Sequence, residues 1–129
     1  MNNFDITEIE NPIADHIRES GVSEHVWKNR PKATADDIDD FAVVKVTGGV
    51  SDKAAFGQCR VAVYLFSRDV REMKNDVRLS VMQDALISGM RMRLGKLIAD
   101  DKFRYVGDTA DDFGFHCRII SFSVIIKIV

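Results

Sequence analysis

Cysteine, proline and tryptophan are scarce in this sequence. Its 129 residues include two cysteines, two prolines and one tryptophan. Two cysteines cannot build a disulfide framework, and neither stands in a spacing typical of a zinc site. We interpret Cys59 and Cys117 as buried, unreactive thiols, because His116 and Cys117 would point to opposite faces of a strand. This cysteine usage favours a cytoplasmic origin, and we expect no metal and no cofactor.

Long apolar runs and an excess of one charge are missing as well. The uncharged stretch 119–126 is far too short to span a bilayer. The acidic segment 1–15 does not resemble a secretory signal. Eighteen basic and twenty acidic residues leave a net charge of −2, so no global basic field attracts nucleic acid or anionic lipid. We therefore expect no membrane partner and regard nucleic acid as an unfavoured one.

The length and the apolar content indicate one globular domain over residues 1–129. The patterns predict the order α-β-β-β-α-β-β. This is an α+β fold in which a mostly antiparallel sheet packs against one long and one short helix. The predicted strands are a short extended stretch at 25–30, then 41–47, 59–67, 102–106 and about 113–129. A turn is expected at Gly107-Asp108.

The first helix has isoleucines at helical spacing but an ambiguous start. Thr7 with Glu10 matches a capping box, whereas Asn11 followed by Pro12 matches a cap and a first helical residue. We favour a helix from about Asn11 to Ser20, closed by Gly21, with residues 1–10 as an N-terminal arm.

The segment 68–99 is rich in helix-forming residues, and Ser88-Gly89 is the expected bend or break. At 100° per residue it carries two apolar stripes on nearly opposite sides. The Val70 stripe consists of Val70, Met73, Val77 and Val81, and the Leu79 stripe consists of Leu79, Met82, Leu86 and Met90. A helix on its own sheet needs only one apolar face. The other face is covered either by the N-terminal helix or by another subunit.

No catalytic constellation emerges from the sequence. The three histidines are scattered over different predicted elements, and no nucleophile, phosphate-binding or zinc-protease motif occurs. The acidic groups at 36–40 and 108–112 lack the spacing of a calcium-binding loop, so we interpret them as solvated loops, turns or caps. Asp108 or Thr109 is a candidate cap of a helical turn. Tyr64, Phe66 and Trp27 are interpreted as packing residues of the sheet.

The order of these pieces resembles a known family. A short helix leads to Val26-Trp27-Lys28-Asn29-Arg30-Pro31, and the β-rich segments 41–46 and 60–67 follow on either side of a long loop. A Met-rich helix and the strand 114–120 complete the pattern. This layout is similar to that of the tail-completion or tail terminator proteins of tailed bacteriophages and prophages. The resemblance spans nearly the whole chain, and it is one of layout and size.

The resemblance implies a non-enzymatic structural protein. Such proteins form a ring, commonly hexameric, that terminates the tail tube and faces the head connector. The expected partners are further copies of the chain, the tube protein and the connector. The expected location is the host cytoplasm during assembly and then the tail of the virion.

Under this hypothesis two regions form the contact between subunits. One is the loop 48–57 with Gly48, Gly49 and the apolar Phe56. The other is the exposed part of the long helix, where charged and apolar residues would meet a neighbour: Arg71, Lys74, Arg78, Leu79, Met82 and Leu86. Three alternatives stay open: another head–tail connector or minor tail subunit, a small nucleic-acid-binding α+β protein, and a small-molecule-binding or enzymatic α+β domain.

Overall fold

The computed structural model describes residues 7–28, 38–47, 56–91, 97–99, 102–110 and 114–127. These residues form two helices and six strands. The elements are α1 (Thr7–Glu19), β1 (Val26–Trp27), β2 (Asp40–Thr47), β3 (Phe56–Arg68), α2 (Asp76–Met90), β4 (Leu97–Ala99), β5 (Arg104–Ala110) and β6 (Phe115–Lys127). The predicted α+β class is confirmed. The described chain has one more short strand, β4, than the sequence analysis expected.

The strands form one mixed sheet in the order β1-β2-β3-β6, with β4 and β5 both paired to the far edge of β6. Among the strands of the described residues, only the pairing of β1 with β2 is parallel. The sheet is therefore mostly antiparallel, as predicted. The long strands β3 and β6 lie side by side at its centre over thirteen residue pairs.

Both helices lie on one face of this sheet, which we call the helix face. Alternate residues of β2, β3 and β6 point toward it, because side chains along a strand alternate between the two faces. The main core lies between the helices and this face. The opposite face, which we call the open face, holds a second apolar cluster around Phe41, Phe66 and Phe115. Trp27 lies against Phe41 in this cluster, with 5.2 Å between ring centroids, and Phe66 stacks on Phe41 at 4.4 Å.

Helix α1 begins at Thr7, four residues before the start that we favoured, and Pro12 lies inside it. Pro12 is the sixth residue of the helix, and because proline lacks an N–H donor, one hydrogen bond of the i to i−4 ladder is missing there. Gly21 closes the helix as predicted, with a positive φ of 84° that glycine adopts at little cost. Its N–H donates to the carbonyl of Arg18 at 3.2 Å.

Helix α2 is much shorter than the predicted segment 68–99. Arg68 belongs to β3, and Arg71 and Glu72 have positive φ values of 53° and 64°. They form the centre of a tight turn in which Val70 and Met73 exchange two backbone hydrogen bonds at 2.9 and 3.0 Å. This turn prevents a helix from starting earlier. The helix begins after Asn75, whose Oδ1 accepts from the backbone N–H of Arg78 at 3.1 Å.

The predicted break at Ser88-Gly89 is wrong, because α2 continues through both residues to Met90. Gly89 instead lets the two helices approach closely. A Cβ atom at this position would overlap the Oγ and Cβ atoms of Ser20 at the end of α1. Nε2 of His16 donates to the Gly89 carbonyl at 2.8 Å. The glycine is therefore a contact point between helices rather than a hinge.

We predict that Gly89→Ala lowers the free energy of unfolding by about 1–2 kcal/mol, because the overlap with Ser20 outweighs the gain in helix propensity. In a Ser20→Gly background the overlapping atoms are absent, and the same Gly89→Ala change should then stabilise the protein by up to about 1 kcal/mol. Urea unfolding of the four proteins in this cycle measures both effects. A loss of equal size in both backgrounds would contradict the proposed contact with Ser20.

Candidate subunit surface and its polar network

The Leu79 stripe faces the protein's own core. Leu79, Met82 and Leu86 are completely buried, and Met90 is nearly so. They pack in the main core with Ile13 and other residues of α1 and with the helix face of the sheet. Leu79, Met82 and Leu86 were predicted as candidate subunit contacts, and that prediction is wrong. The alternative in which the N-terminal helix helps to cover this stripe is correct.

The Val70 stripe is the one that faces solvent. Its four side chains keep about half or more of their surface exposed: Val70 (55%), Met73 (71%), Val77 (78%) and Val81 (49%). Val77 and Val81 lie one turn apart on α2, and Val70 and Met73 flank the tight turn that precedes it. Val77 and Val81 therefore form a small exposed apolar patch on α2, and such patches mark sites of interaction more often than scattered single apolar residues do.

Strand β5 lies at the edge of the sheet, beside α2. Within the described residues it pairs with β6 alone. Tyr105 and Val106 are 58% and 60% exposed. The register shifts between Tyr105 and Gly107, so the strand contains a bulge that places Val106 out of the regular pairing. The sequence analysis missed both residues, and their position on an unpaired edge could not be read from a single strand pattern.

A polar network fastens this edge to the beginning of α2. Nζ of Lys74 donates to Asp108 at 2.7 Å and lies 3.1 Å from Asp76. Arg118 on β6 donates to Asp108 at 3.4 Å and to Asp76 at 3.2 Å. It also donates to Ser80 and Gln83 of α2 at 3.2 and 3.0 Å. The stripe and the edge strand are thus held together on one side of the molecule.

Asp108 is the acidic centre of this network. Burial alone would raise its pKa, but hydrogen bonds from Lys74 and Tyr105 and the charge of Arg118 outweigh burial and hold the pKa below its usual value. The same hydrogen bonds to Asp108 raise the pKa of Lys74 and of Tyr105. Asp108 lies in β5, so the expectation that it or Thr109 caps a helical turn is wrong.

These shifts set the pH range in which the network stabilises the fold. A carboxyl with a lowered pKa contributes stability above its unfolded pKa, about 4, and loses the contribution as the pH falls through its folded pKa. Lys74 and Tyr105 have raised pKa values. Their contributions are present below their unfolded pKa values, about 10, and are lost as the pH rises through the folded values. The network therefore contributes fully between about pH 4 and pH 10.

We predict that Asp108→Asn lowers the free energy of unfolding by about 1–3 kcal/mol at pH 7, because it removes the charged acceptor of several hydrogen bonds. The difference from the unsubstituted protein should shrink as the pH falls below about 4, where Asp108 itself becomes protonated. Urea unfolding at several pH values measures this. Asp15→Asn is the matched control, since the exposed pair of Asp15 with Arg18 should contribute less than about 1 kcal/mol. A difference that is independent of pH would contradict this account.

Three basic residues were also predicted to contact a neighbouring subunit: Arg71, Lys74 and Arg78. Lys74 binds the chain's own Asp108, and Nε of Arg78 binds the chain's own Asp40 at 3.0 Å. Their expected role in pairing with acids of a neighbour is therefore corrected. Arg71 is exposed in the turn before α2.

The predicted contact loop lies largely outside the described residues, which include neither Gly48 nor Gly49. Phe56 was expected in this loop. It is instead the first residue of β3, paired with Lys127 of β6. Its position in a paired strand corrects its assignment to the loop, and its role as a subunit contact stays a prediction.

The thiols and histidines show no catalytic arrangement within the described residues. Cys59 and Cys117 are both buried, as predicted, and burial raises the pKa of Cys59 to about 11, which makes it a poor nucleophile. Nδ1 of His116 lies 2.6 Å from Asp69 on the helix face, on the other side of the sheet from Cys117. In the described part of the chain, no group of three or more His, Cys, Asp or Glu side chains is arranged to hold a metal ion.

One polar cleft of about 540 Å³ adjoins the pair of Arg78 with Asp40. Ser23 Oγ donates to Asp40, and Arg78 also donates to the carbonyl of Val22 at 3.3 Å. These bonds connect the segment after α1 with β2 and α2, so the charged groups at the cleft hold the elements together. Neither described helix has the length and apolar character that crossing a membrane would require.

Comparison with known proteins supports the fold. No protein-family model matches the sequence, and no curated protein matches it. One solved structure is similar over 92% of this chain and 89% of its own length, with a TM-score of 0.56 and 16% sequence identity. The name of that protein is an identifier that describes no activity. At this level of identity the likeness shows the fold alone.

Proposed function

We propose that this protein is a structural subunit of a bacteriophage or prophage tail, which assembles into a ring that terminates the tail tube and joins it to the head connector. The observation that carries the proposal is the exposed Val70 stripe. A single copy leaves four apolar side chains in water next to an edge strand. The resemblance in layout to tail terminator proteins supports the same assignment.

The Val70 stripe is small, so we expect copies of the chain to assemble only at high protein concentration or on a template such as the end of a tail tube. Complete burial of four such side chains contributes at most about 6–12 kcal/mol. Association costs about 4–15 kcal/mol in lost freedom of motion. The two contributions nearly balance, so free copies should associate weakly and the end of a tail tube should favour their assembly.

The shape of the edge strand also supports a closed assembly. A long regular edge would pair with further copies without limit. The bulge at Tyr105 and Gly107 interrupts the regular edge, which disfavours open-ended sheet growth. A head-to-tail contact whose rotation closes a circle then produces a ring. Its partners are further copies of the chain, the tube protein and the connector, first in the host cytoplasm and then in the virion tail.

Electron microscopy of the concentrated protein, alone and with tail tubes from the same phage or prophage, tests this function. The proposal predicts closed rings at high protein concentration and rings bound to one end of the tubes. Twofold dimers as the largest species, together with bare tube ends, would contradict it.

A further inference from the structure

The open face of the sheet carries a group of basic side chains in its central region. Lys45 of β2, Arg60 of β3 and Arg104 of β5 are exposed there, and Lys102 lies just before β5. The register places all three strand residues on the open face, because paired residues share a face. The residues of the described strands that point to this face include no aspartate or glutamate.

These basic residues surround a floor of small side chains. Lys45 is paired with Ala62, Ala62 with Ser121, and Ser121 with Arg104, so the four residues form one row across four strands. At the usual strand spacing, Lys45 and Arg104 are about 14 Å apart. Arg60 lies in the next row, opposite Ser123. We call the surface formed by Lys45, Arg60, Lys102, Arg104, Ser121 and Ser123 the basic groove.

Lys45, Arg60 and Arg104 supply the binding charge of the groove, whereas Lys102 already has an interaction of its own. Nη1 of Arg60 lies 3.5 Å from the Ser121 hydroxyl, and Lys45 lies over the ring of Tyr64 at 5.2 Å from its centroid. Within the described residues, neither side chain has a carboxylate partner, and Arg104 has none. A depression of about 130 Å³ lies between Arg60, Arg104 and the two serines. It has room for roughly four water molecules, which suits one tetrahedral anion.

We propose that the basic groove binds the phosphodiester backbone of nucleic acid. Arginine, lysine and serine side chains are the groups that contact phosphate oxygens in such complexes, and a guanidinium binds phosphate through two parallel hydrogen bonds. Protein interfaces are depleted of lysine, serine and alanine, which are the residue types of Lys45, Ser121, Ser123 and the Ala62 floor of the groove. Tyr64 lies beneath Lys45, so the contact involves phosphates rather than stacked bases.

This inference departs from the expectation drawn from net charge. A net charge of −2 averages over the whole surface, whereas binding depends on the local field. On the helix side, Asp40, Asp76 and Asp108 are paired with arginine or lysine. The inference does not require ring assembly, because the groove and the Val70 stripe lie on opposite faces of the sheet.

Fluorescence anisotropy with a short labelled DNA duplex tests the proposal in 50 and 200 mM salt. Three phosphate contacts, made by Lys45, Arg60 and Arg104, predict an association constant that falls about forty-fold between these salt concentrations. The double variant Arg60→Gln with Arg104→Gln should bind at least about ten-fold more weakly in 50 mM salt. Its association constant should fall only about three- to four-fold over the same range, since one contact remains.

The matched control is Arg71→Gln with Arg91→Gln, which removes the same charge from two exposed arginines outside the groove. It should bind as the unsubstituted protein does. Failure of the unsubstituted protein to bind in 50 mM salt would overturn the proposal, as would an equal loss in the control. Equally tight binding of polyglutamate through the same arginines would also overturn it and would assign the groove to acidic proteins. Thermal unfolding of both variants shows whether each remains folded.

Discussion

Replacement of Leu86 by aspartate is expected to prevent folding at 25 °C. Leu86 is completely buried between α2, α1 and the sheet. The substitution removes its apolar contacts and places a carboxyl group among the apolar side chains of the main core. The combined loss should exceed about 4 kcal/mol, a large part of the stability of a domain of this size. Circular dichroism and urea unfolding measure the result.

Val81→Asp is the matched control, since it makes the same kind of change on the same helix. Val81 is about half exposed, and an aspartate there can remain in water. We expect its free energy of unfolding to stay within about 0.5–1 kcal/mol of that of the unsubstituted protein. If Leu86→Asp instead gave a folded protein that failed to assemble, the Leu79 stripe would be a subunit contact after all.

The double substitution Val77→Asp with Val81→Asp is expected to abolish self-association while leaving the fold intact. Both side chains extend into solvent from the Val70 stripe. Two carboxylates in a contact between subunits would lack partners and lose their hydration, so the association constant should fall at least about a hundred-fold. Sedimentation velocity compares the variant with the unsubstituted protein over a range of concentrations.

The control for this prediction is Asn11→Asp with Thr47→Asp, which adds the same two negative charges at exposed positions of α1 and β2, outside α2 and its stripe. It changes the charge without touching the apolar residues and should leave association within about three-fold of the original. Equal loss of association in this control would show that net charge, rather than the stripe, governs self-association.

The fold class could be predicted from the sequence because its strands have strong patterns. The alternation in 59–67 and the β-branched residues of 41–47 correspond to β3 and β2. Hydrophobic periodicity also identified the Leu79 stripe and the exposed Val77 and Val81 of α2, whereas Val70 and Met73, predicted on the same helix, lie in the turn before it. It could not decide which stripe faces solvent, because both are apolar and the position of α1 is a tertiary feature.

The beginning of α2 could not be predicted, because the backbone turns just before it in a way that helix propensity does not reveal. Residues 68–75 have helix-forming composition, but Arg71 and Glu72 adopt left-handed backbone conformations that propensity does not favour. The predicted break at Ser88-Gly89 was wrong, because Gly89 lies inside α2 and its lack of a side chain leaves room for Ser20 of the neighbouring helix end. A single sequence does not show which residues lie opposite each other in space.

The polar network around Asp108 and the basic groove could not be predicted from the sequence, because each joins residues that are far apart along the chain. Lys74 and Asp108 are 34 positions apart, and Lys45, Arg60 and Arg104 come from three strands. Their grouping follows from sheet order and register. The net charge of −2 predicted no global basic field, whereas the fold brings Lys45, Arg60 and Arg104 together in a basic groove on the open face.

Sedimentation equilibrium of the unsubstituted protein tests the central claim most directly. A protomer of 14.5 kDa that leaves the Val70 stripe in water should show an average mass that rises with concentration and approaches an integral multiple of the protomer mass. A mass that stays at 14.5 kDa up to millimolar concentration would contradict the claim that this stripe is completed by a second copy.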